Sequence, residues 1–407
     1  MRPLVKNVAI TGLGTTQFAR SLPDRSIVSL KCEAAIKAIQ DAGLAKNDID
    51  GMVTDESNAE SGGNPRIHIE LSEYLGIFPK GVCTSIPMGG ATPGFCLDVA
   101  RWAVSTGRCR NVLIVVGGKM SSLGGRTTLG HGTTSQLSTW PGHSRNYEHP
   151  YGPLMITFYA AVAQRHMYEY GTTSEQLAAV AVACRRHASL NPESLMRRPI
   201  TVEDVVSLRM ISSPLHLLDC CIISDGGCAF VVSNGYEARS TRHKPVWVLG
   251  SGGGQSSYFM GSLALGDPAR PGREYSMTRS TGKMAAVEAF AEAGVERGDI
   301  DLVTSCDNFT ITPIVLLEDY GFCKKGEGGA FVEGGRIEIG GELPFNTHGG
   351  LLSNAHFGPG LFMNYVEAVR QLRWECGDRQ VKGAELAVAA TCAGVISTHQ
   401  VSILARD

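Results

Sequence analysis

Apolar positions along the chain fall into short continuous runs that alternate with longer stretches repeating at helical spacing. Val8–Gly14 is a continuous run ending in glycine, the pattern of a buried strand, and Ile27–Ala42 repeats apolar residues every three or four positions until Gly43 stops it. Asp48-Ile-Asp-Gly-Met-Val-Thr54 then reads as a turn feeding a second strand. The same order returns further on. Val246–Gly250 is a short strand ending in glycine, Thr281–Ala293 is an amphipathic helix closed by Gly294, and Asp299-Ile-Asp-Leu-Val-Thr304 feeds another strand. Asp41 and Glu292 stand 251 positions apart, as do Asp48 and Asp299, and a shared offset within two matching α/β segments points to an internal duplication.

Each half continues in parallel. Gly89–Gly107 is a glycine-rich turn running into a helix before the strand Asn111–Gly117, and Gly349–Arg373 is the same before the strand Glu385–Ala390. Alternation of this kind predicts an α/β fold with helix-covered sheets. Cys220–Ser233 is expected to be the last strand of the first half and His399–Leu404 the last of the second. After the strand Asn111–Gly117, Lys119–Pro153 is rich in Gly, Ser, Thr and His with little periodicity, too long for a plain connection, and Ile156–Leu190 is largely helical. The expected organisation is therefore a half spanning 1–240, with an inserted cover region at 119–215, and a half spanning 241–407.

Length supports this division, since 407 residues exceed the roughly 250–300 at which one core stops growing. Forty-nine glycines, 19% charged residues and 43% hydrophobic residues describe tight turns and buried strands rather than disorder. A net charge of −2 provides no basic field for nucleic acid or an anionic membrane. The longest apolar stretches, such as Val112–Val116, are far shorter than a bilayer span, and Met1–Leu13 lacks a signal-peptide pattern, so a soluble cytoplasmic protein is expected. Twelve cysteines at irregular spacing, with no Cys-x-x-Cys, predict reduced thiols that are mostly small buried hydrophobes, and no metal site is expected. Adjacent Cys220 and Cys221 suit neither a zinc knuckle nor a redox pair. Gly12-x-Gly14 lacks the third glycine of a dinucleotide fingerprint, Gly250–Gly254 lacks the closing Lys of a phosphate loop, and there is no Gly-x-Ser-x-Gly elbow. Arg185, Arg186, Arg197 and Arg198 read as a solvated helix end, and His131, His143 and His149 as surface polarity.

Three segments of the second half place polar residues where strands hand over to turns: Ser305-Cys306-Asp307-Asn308-Phe309, Asn346-Thr-His348-Gly-Gly350 running on to His356, and Thr391-Cys392-Ala-Gly394. With the duplicated halves, they resemble the thiolase superfamily, and more narrowly its branch with sterol-carrier-protein-type thiolases and steroid side-chain aldolases. Gly349-Gly350 precede His356 at the interval at which a glycine pair precedes the thiolases' catalytic histidine, although Ala355 and Phe357 replace the flanking Gly and Pro. Cys392-Ala-Gly394 matches their C-terminal Cys-x-Gly. The resemblance implies duplicated βαβαβαββ halves in a five-layer α-β-α-β-α arrangement with an inserted loop and helical region. It also implies a homodimer, and a small OB-fold partner with a zinc ribbon.

One departure shapes the expected chemistry. Thiolases place a nucleophilic cysteine at the start of the helix in the first half, about seventeen residues before the glycine that ends it. Here that position is Gly90, within Met88-Gly-Gly-Ala-Thr92; Cys83 and Cys96 lie too far away along the chain to replace it. A helix start without a thiol still presents backbone N–H groups to a thioester oxygen, so Gly90 is expected at the substrate. Claisen exchange needs a group to hold the acyl chain, whereas retro-aldol cleavage of a β-hydroxyacyl-CoA needs only a base and a stabilised enolate. On that reading His356 takes the β-hydroxyl proton or protonates the enolate, and Cys392 is the other acid or base. Cys306 stands where the sterol-carrier type has histidine and the aldolases have tyrosine, so a proton-shuttling thiol there departs from both. Asp307 orients neighbouring loops, and His348 bonds either substrate or its own turn. No tightly bound cofactor is expected, with CoA entering as part of the substrate. Two alternatives remain open: acyl transfer with Cys392 or Cys306 as nucleophile, and a non-catalytic acyl-CoA-binding subunit.

Overall fold

The computed structural model describes residues 6–56, 66–123, 144–151, 154–256 and 276–407. The first half runs β1 (Val8–Thr15), α1 (Ile27–Ala42), β2 (Gly51–Thr54), α2 (Ile67–Leu75), β3 (Val82–Ser85), α3 (Thr92–Ser105) and β4 (Asn111–Lys119). After an insert holding α4 (Met155–Tyr170), α5 (Ser174–Leu190) and the small hairpin β5 (Met210–Ser212) and β6 (Leu215–His216), β7 (Asp225–Asn234) completes it. The second half runs β8 (Val246–Gln255), α6 (Gly282–Ala293), β9 (Leu302–Thr304), α7 (Ile311–Tyr320), α8 (Phe362–Arg373), β10 (Leu386–Ala393) and β11 (Thr398–Ala405). Among the described residues no helix is long and apolar enough to cross a membrane.

Apart from the β5–β6 hairpin, the strands form one nine-stranded sheet in the order β3-β2-β4-β7-β1-β8-β11-β10-β9. Counted outward from the central β1–β8 contact, the first half gives β1-β7-β4-β2-β3 and the second β8-β11-β10-β9, the same order with one strand missing. That fifth strand is reduced to a single parallel bridge between Val303 and Phe345. Within the sheet only two residue pairs, Ala9 with Trp247 and Ile10 with Val246, connect the strands of one half to those of the other, so the sheet can fold on itself there.

Strand alternation sorts the side chains into layers. Leu113 and Val115 of β4 pack with Ala34, Ala35 and Ala38 of α1, while Val112, Ile114 and Val116 pack with Leu97 and Ala100 of α3. The cluster around α3 also holds Phe362, Tyr365 and Val369 of α8 together with Ala387 and Ala389 of β10. Val388, Ala390 and Val401 turn the other way, onto Ala285 and Ala289 of α6. The result is five layers, with α3 and α8 buried between the two halves of the sheet.

The duplication is visible atom by atom. A Cβ on Gly12 would lie 2.2 Å from the Ala38 carbonyl oxygen, and one on Gly250 2.2 Å from that of Ala289, 251 positions after Ala38. These glycines therefore let a helix lie directly on the strand, which is the physical meaning of the two glycine-rich strand ends. Asp50 accepts from the N–H groups of Arg110 and Asn111 at the start of β4, and Asp301 from those of Glu385 and Leu386 at the start of β10.

One expectation changes. The last strand of the first half begins at Asp225, not Cys220, because the backbone of 220–222 is taken by loops of the other half: Cys221 N donates to Asn308 O at 2.9 Å and Ile222 N to Leu351 O at 3.1 Å. The inserted helices, though attached to the first half, pack on the second, with His166 of α4 against Glu318 of α7 and Arg185 of α5 donating to Ser353 Oγ at 2.8 Å. Most of the cover Lys119–Pro153, including His131, His143 and the side chain of His149, lies outside the described residues.

Candidate active site

The two halves meet where the turn before α3 touches the end of β10. A 3₁₀ turn at Gly89–Ala91 leads into α3, with Thr92 Oγ1 accepting from Met88 N at 3.0 Å. A Cβ on Gly90 would lie 2.4 Å from the carbonyl oxygen of Cys392 and 3.3 Å from Leu361 Cδ1. Position 90 thus has no room for a side chain: the place expected for a nucleophilic thiol is closed by the Cys392 backbone itself.

Cys392 is buried near the end of β10, and Cys306, also buried, lies on the loop after β9. Their sulfurs interact, and hydrogen bonding from Cys306, with further help from His399 and Tyr159, holds the Cys392 thiol down to about 6 against the cost of burial. Burial and the neighbouring Cys392 push Cys306 up, so it keeps its proton. The Cys306 thiol also lies 3.5 Å from Asn308 Oδ1, which accepts from Thr312 Oγ1 at 2.7 Å. Tyr159 of α4 closes the cluster, donating to Gly394 O at 3.0 Å and packing on Phe309. A pair of thiols with pKa values driven apart is an adjacent acid and base.

His356 lies on the loop before α8 and is partly exposed. Its backbone is clamped to Ser224, with His356 N donating to Ser224 Oγ at 2.9 Å and Ser224 N to His356 O at 2.8 Å. The ring's Nδ1 lies 3.2 Å from Cys221 Sγ. Burial lowers this imidazole to about 4, so it is neutral at pH 7 and free to accept a proton. Asp307 is fully buried and accepts from Leu351 N at 2.8 Å and Leu352 N at 3.3 Å. Burial raises its carboxyl to about 6. A Cβ on Gly350 would lie 1.8 Å from Asp307 Oδ2, so only glycine lets the carboxylate hold the turn after His348. His348 is also buried, with its carbonyl accepting from Asn191 Nδ2 and Ser194 Oγ, both at 3.0 Å. Burial lowers its ring to about 4, opposed by the nearby Glu367 carboxylate.

The structure thus joins Cys306, Cys392 and Gly90 directly, and links His356 to them through the Cys221–Asn308 backbone contact. Asp307 and His348 stand behind, holding the turn. Sequence reasoning missed Tyr159, Cys221 and His399. Nothing in spacing points to Tyr159, which arrives from the insert. Cys221 carried a faint signal, an uncommon Cys-Cys pair just before a strand. Among the described residues, no three His, Cys, Asp or Glu side chains form a group able to hold a metal ion.

The duplicated α/β fold, with Cys392-Ala-Gly394 at the place where the halves meet, agrees with the thiolase resemblance, and residues 271–406 match the family model described as thiolase C-terminal domain-like. The chain is 35% identical to an acetyl-CoA acetyltransferase of Methanothermobacter thermautotrophicus, over 99% of this chain and 100% of that one. It is equally 35% identical to a steroid side-chain-cleaving aldolase of Thermomonospora curvata, over 90% of each. The solved structure of an Ltp2-ChsH2(DUF35) aldolase superposes with a TM-score of 0.83 at 32% identity, covering 98% of both chains. The chain belongs to the thiolase superfamily, and within it to the branch that includes sterol-carrier-type thiolases and steroid side-chain aldolases.

Proposed function

We propose that this protein cleaves a carbon–carbon bond of a β-hydroxyacyl-CoA by a retro-aldol reaction. The observation that carries this reading is Gly90, whose missing side chain is replaced by the Cys392 carbonyl oxygen, so an acyl group cannot be parked on a thiol at the start of α3. Retro-aldol chemistry needs no such thiol. A base takes the β-hydroxyl proton, the Cα–Cβ bond breaks as the carbonyl forms, and the electron pair passes into the thioester enolate. The enolate carbon then takes a proton and a shorter acyl-CoA leaves.

In this chain His356, neutral at pH 7, takes the hydroxyl proton, and the Cys306–Cys392 pair returns one to the enolate carbon. Backbone N–H groups around Gly90 face the thioester oxygen, and Asp307 and His348 hold the turn that precedes His356. CoA enters as part of the substrate, with no tightly bound cofactor. Likeness to the Ltp2-ChsH2(DUF35) aldolase supports a working complex with a small OB-fold, zinc-ribbon partner on a homodimer of this chain. The branch supports a bulky leaving carbonyl such as a steroid ketone.

The test is incubation of the chain, alone and with such a partner, with β-hydroxyacyl-CoA esters of steroid, aromatic and terpenoid type. A released ketone or aldehyde with a shorter acyl-CoA is expected, and no carbonyl product from any class overturns the reading. Likeness to an acetyl-CoA acetyltransferase supports a second reading, acyl transfer through the low-pKa Cys392. Mass spectrometry after adding acyl-CoA separates the two, since an acylated cysteine appears only in acyl transfer.

A further inference from the structure

Cys392 and His399 are direct cross-strand partners in the β10–β11 ladder, so their side chains share one face of the sheet with Cβ atoms about 4.5–5.5 Å apart. In the short turn between them Ile396 has φ 49°, an outlier for a β-branched residue. His399 is fully buried. Its Nδ1 lies 2.8 Å from Thr281 Oγ1, and that hydroxyl lies 3.2 Å from the Gly254 carbonyl oxygen. A carbonyl only accepts, so the hydroxyl proton goes to Gly254 and Nδ1 must be the donor to Thr281. A neutral imidazole with its proton on Nδ1 carries a lone pair on Nε2. That Nε2 is buried and makes no close hydrogen bond, and the thiol it bears on is Cys392.

The other titratable groups beside Cys392 do not satisfy it. Tyr159, from α4, already donates to Gly394 O. Cys306, from the loop after β9, has its thiol at Asn308 Oδ1, and Tyr320, from α7, is hydrogen-bonded to Ser305 Oγ at 3.0 Å. Asp307 is committed to the N–H groups of Leu351 and Leu352.

We propose that His399 is the base that ionises Cys392, the thiol proton passing from Sγ to Nε2 to leave a thiolate–imidazolium pair anchored through Nδ1–H by Thr281. His399 is thus a positioning residue: it acts through Cys392 rather than on the substrate. Such a pair makes Cys392 ready at neutral pH without a metal, and explains why a histidine is buried on a strand with one ring nitrogen unsatisfied. The inference deepens the reading of Cys392 as an acid–base group, but its test contains no substrate.

The test is a pH titration of thiolate absorbance in the far ultraviolet on the full chain, taking wild type minus Cys392→Ala to isolate one thiol among twelve. A midpoint near 6 is expected for Cys392, rising by more than about one pH unit in His399→Gln. Thr281→Val, which keeps the imidazole but removes its anchor, is expected to raise the midpoint by less. An unchanged midpoint in a folded His399→Gln overturns the proposal, as does a wild-type midpoint in the ordinary thiol range. Should His399→Gln fail to fold, an unchanged midpoint in Thr281→Val overturns it. Absence of carbonyl product with the titration as expected removes the retro-aldol reading and leaves the dyad standing; the converse result does the reverse.

Discussion

The two halves share a scaffold and differ at the place where each brings its central strands together. In the first half, Lys31 of α1 meets Asp55 at the end of β2, with Nζ 2.8 Å from Oδ1, both side chains buried. Gly117 of β4 lies beside them, donating to Asp55 Oδ1 at 3.3 Å, and pairs across the ladder with Gly227 of β7. In the second half, the residues 251 positions after Lys31 and Asp55 are Gly282 and Cys306. Cys392 stands six residues after the Asp301-held start of β10, as Gly117 stands six after the Asp50-held start of β4, and its ladder partner is His399. One half therefore fills this position with a sealed ion pair, Lys31 also reaching Thr54 Oγ1 and Asp55 O. The other has a glycine on the helix, with Tyr320 against it, and carries thiols at 306 and 392 and an imidazole at 399. Duplication kept the packing of both copies, and only one copy holds groups whose protons can move.

The largest expected effect breaks the reactive side of that comparison. Cys392→Ala is expected to cut turnover of the β-hydroxyacyl-CoA by about 100- to 10,000-fold, with the fold intact by circular dichroism. Breaking the sealed side costs stability instead. Lys31→Met takes the ammonium from a buried carboxylate and is expected to destabilise by about 3–5 kcal/mol in urea melts, most of it recovered in Lys31→Met/Asp55→Leu.

Acidification sharpens the comparison further. His187 and His348 are buried and lowered to about 4 chiefly by desolvation, so the unfolded chain binds more protons than the folded one between about pH 6.5 and 4. Stability is therefore expected to fall as pH drops through that window, by roughly 1–3 kcal/mol per histidine, read as a declining midpoint in urea melts. Asp307, raised to about 6, has the opposite sign, contributing stability as pH falls from 6 to 4, so Asp307→Asn should steepen the decline. Smallest and equal in both halves is the cost of a methyl group where helix and strand touch. Gly12→Ala and Gly250→Ala are each expected to lose about 1–3 kcal/mol, and unequal losses would show that the two contacts are not the same device.

Much of the scaffold was legible because its rules are local. Helix-ending Gly43 and Gly294, the Asp-Ile-Asp turns and the apolar runs of β4 and β10 depend on neighbours a few residues away, and their shared offset exposed the duplication. The glycines at 12 and 250 were visible, but their purpose was not, since it lies in a helix carbonyl more than twenty residues on. The start of β7 was misplaced because Cys220–Ile222 is apolar enough for a strand, while its backbone partners sit some ninety and 130 residues later at Asn308 and Leu351.

The candidate site divides in the same way. Cys306, Cys392, His356 and Gly90 were singled out because motifs in the sequence resemble those of the thiolases. Which of them touch, and what else touches them, was decided by tertiary structure: Tyr159 comes from an inserted helix, Cys221 from a displaced strand, and His399 from the register of a hairpin. The same holds for protonation. Burial and neighbours separated by up to hundreds of residues set Cys392 low and Cys306 high, so residue identity supplied the candidates, and three-dimensional packing set how firmly each thiol holds its proton.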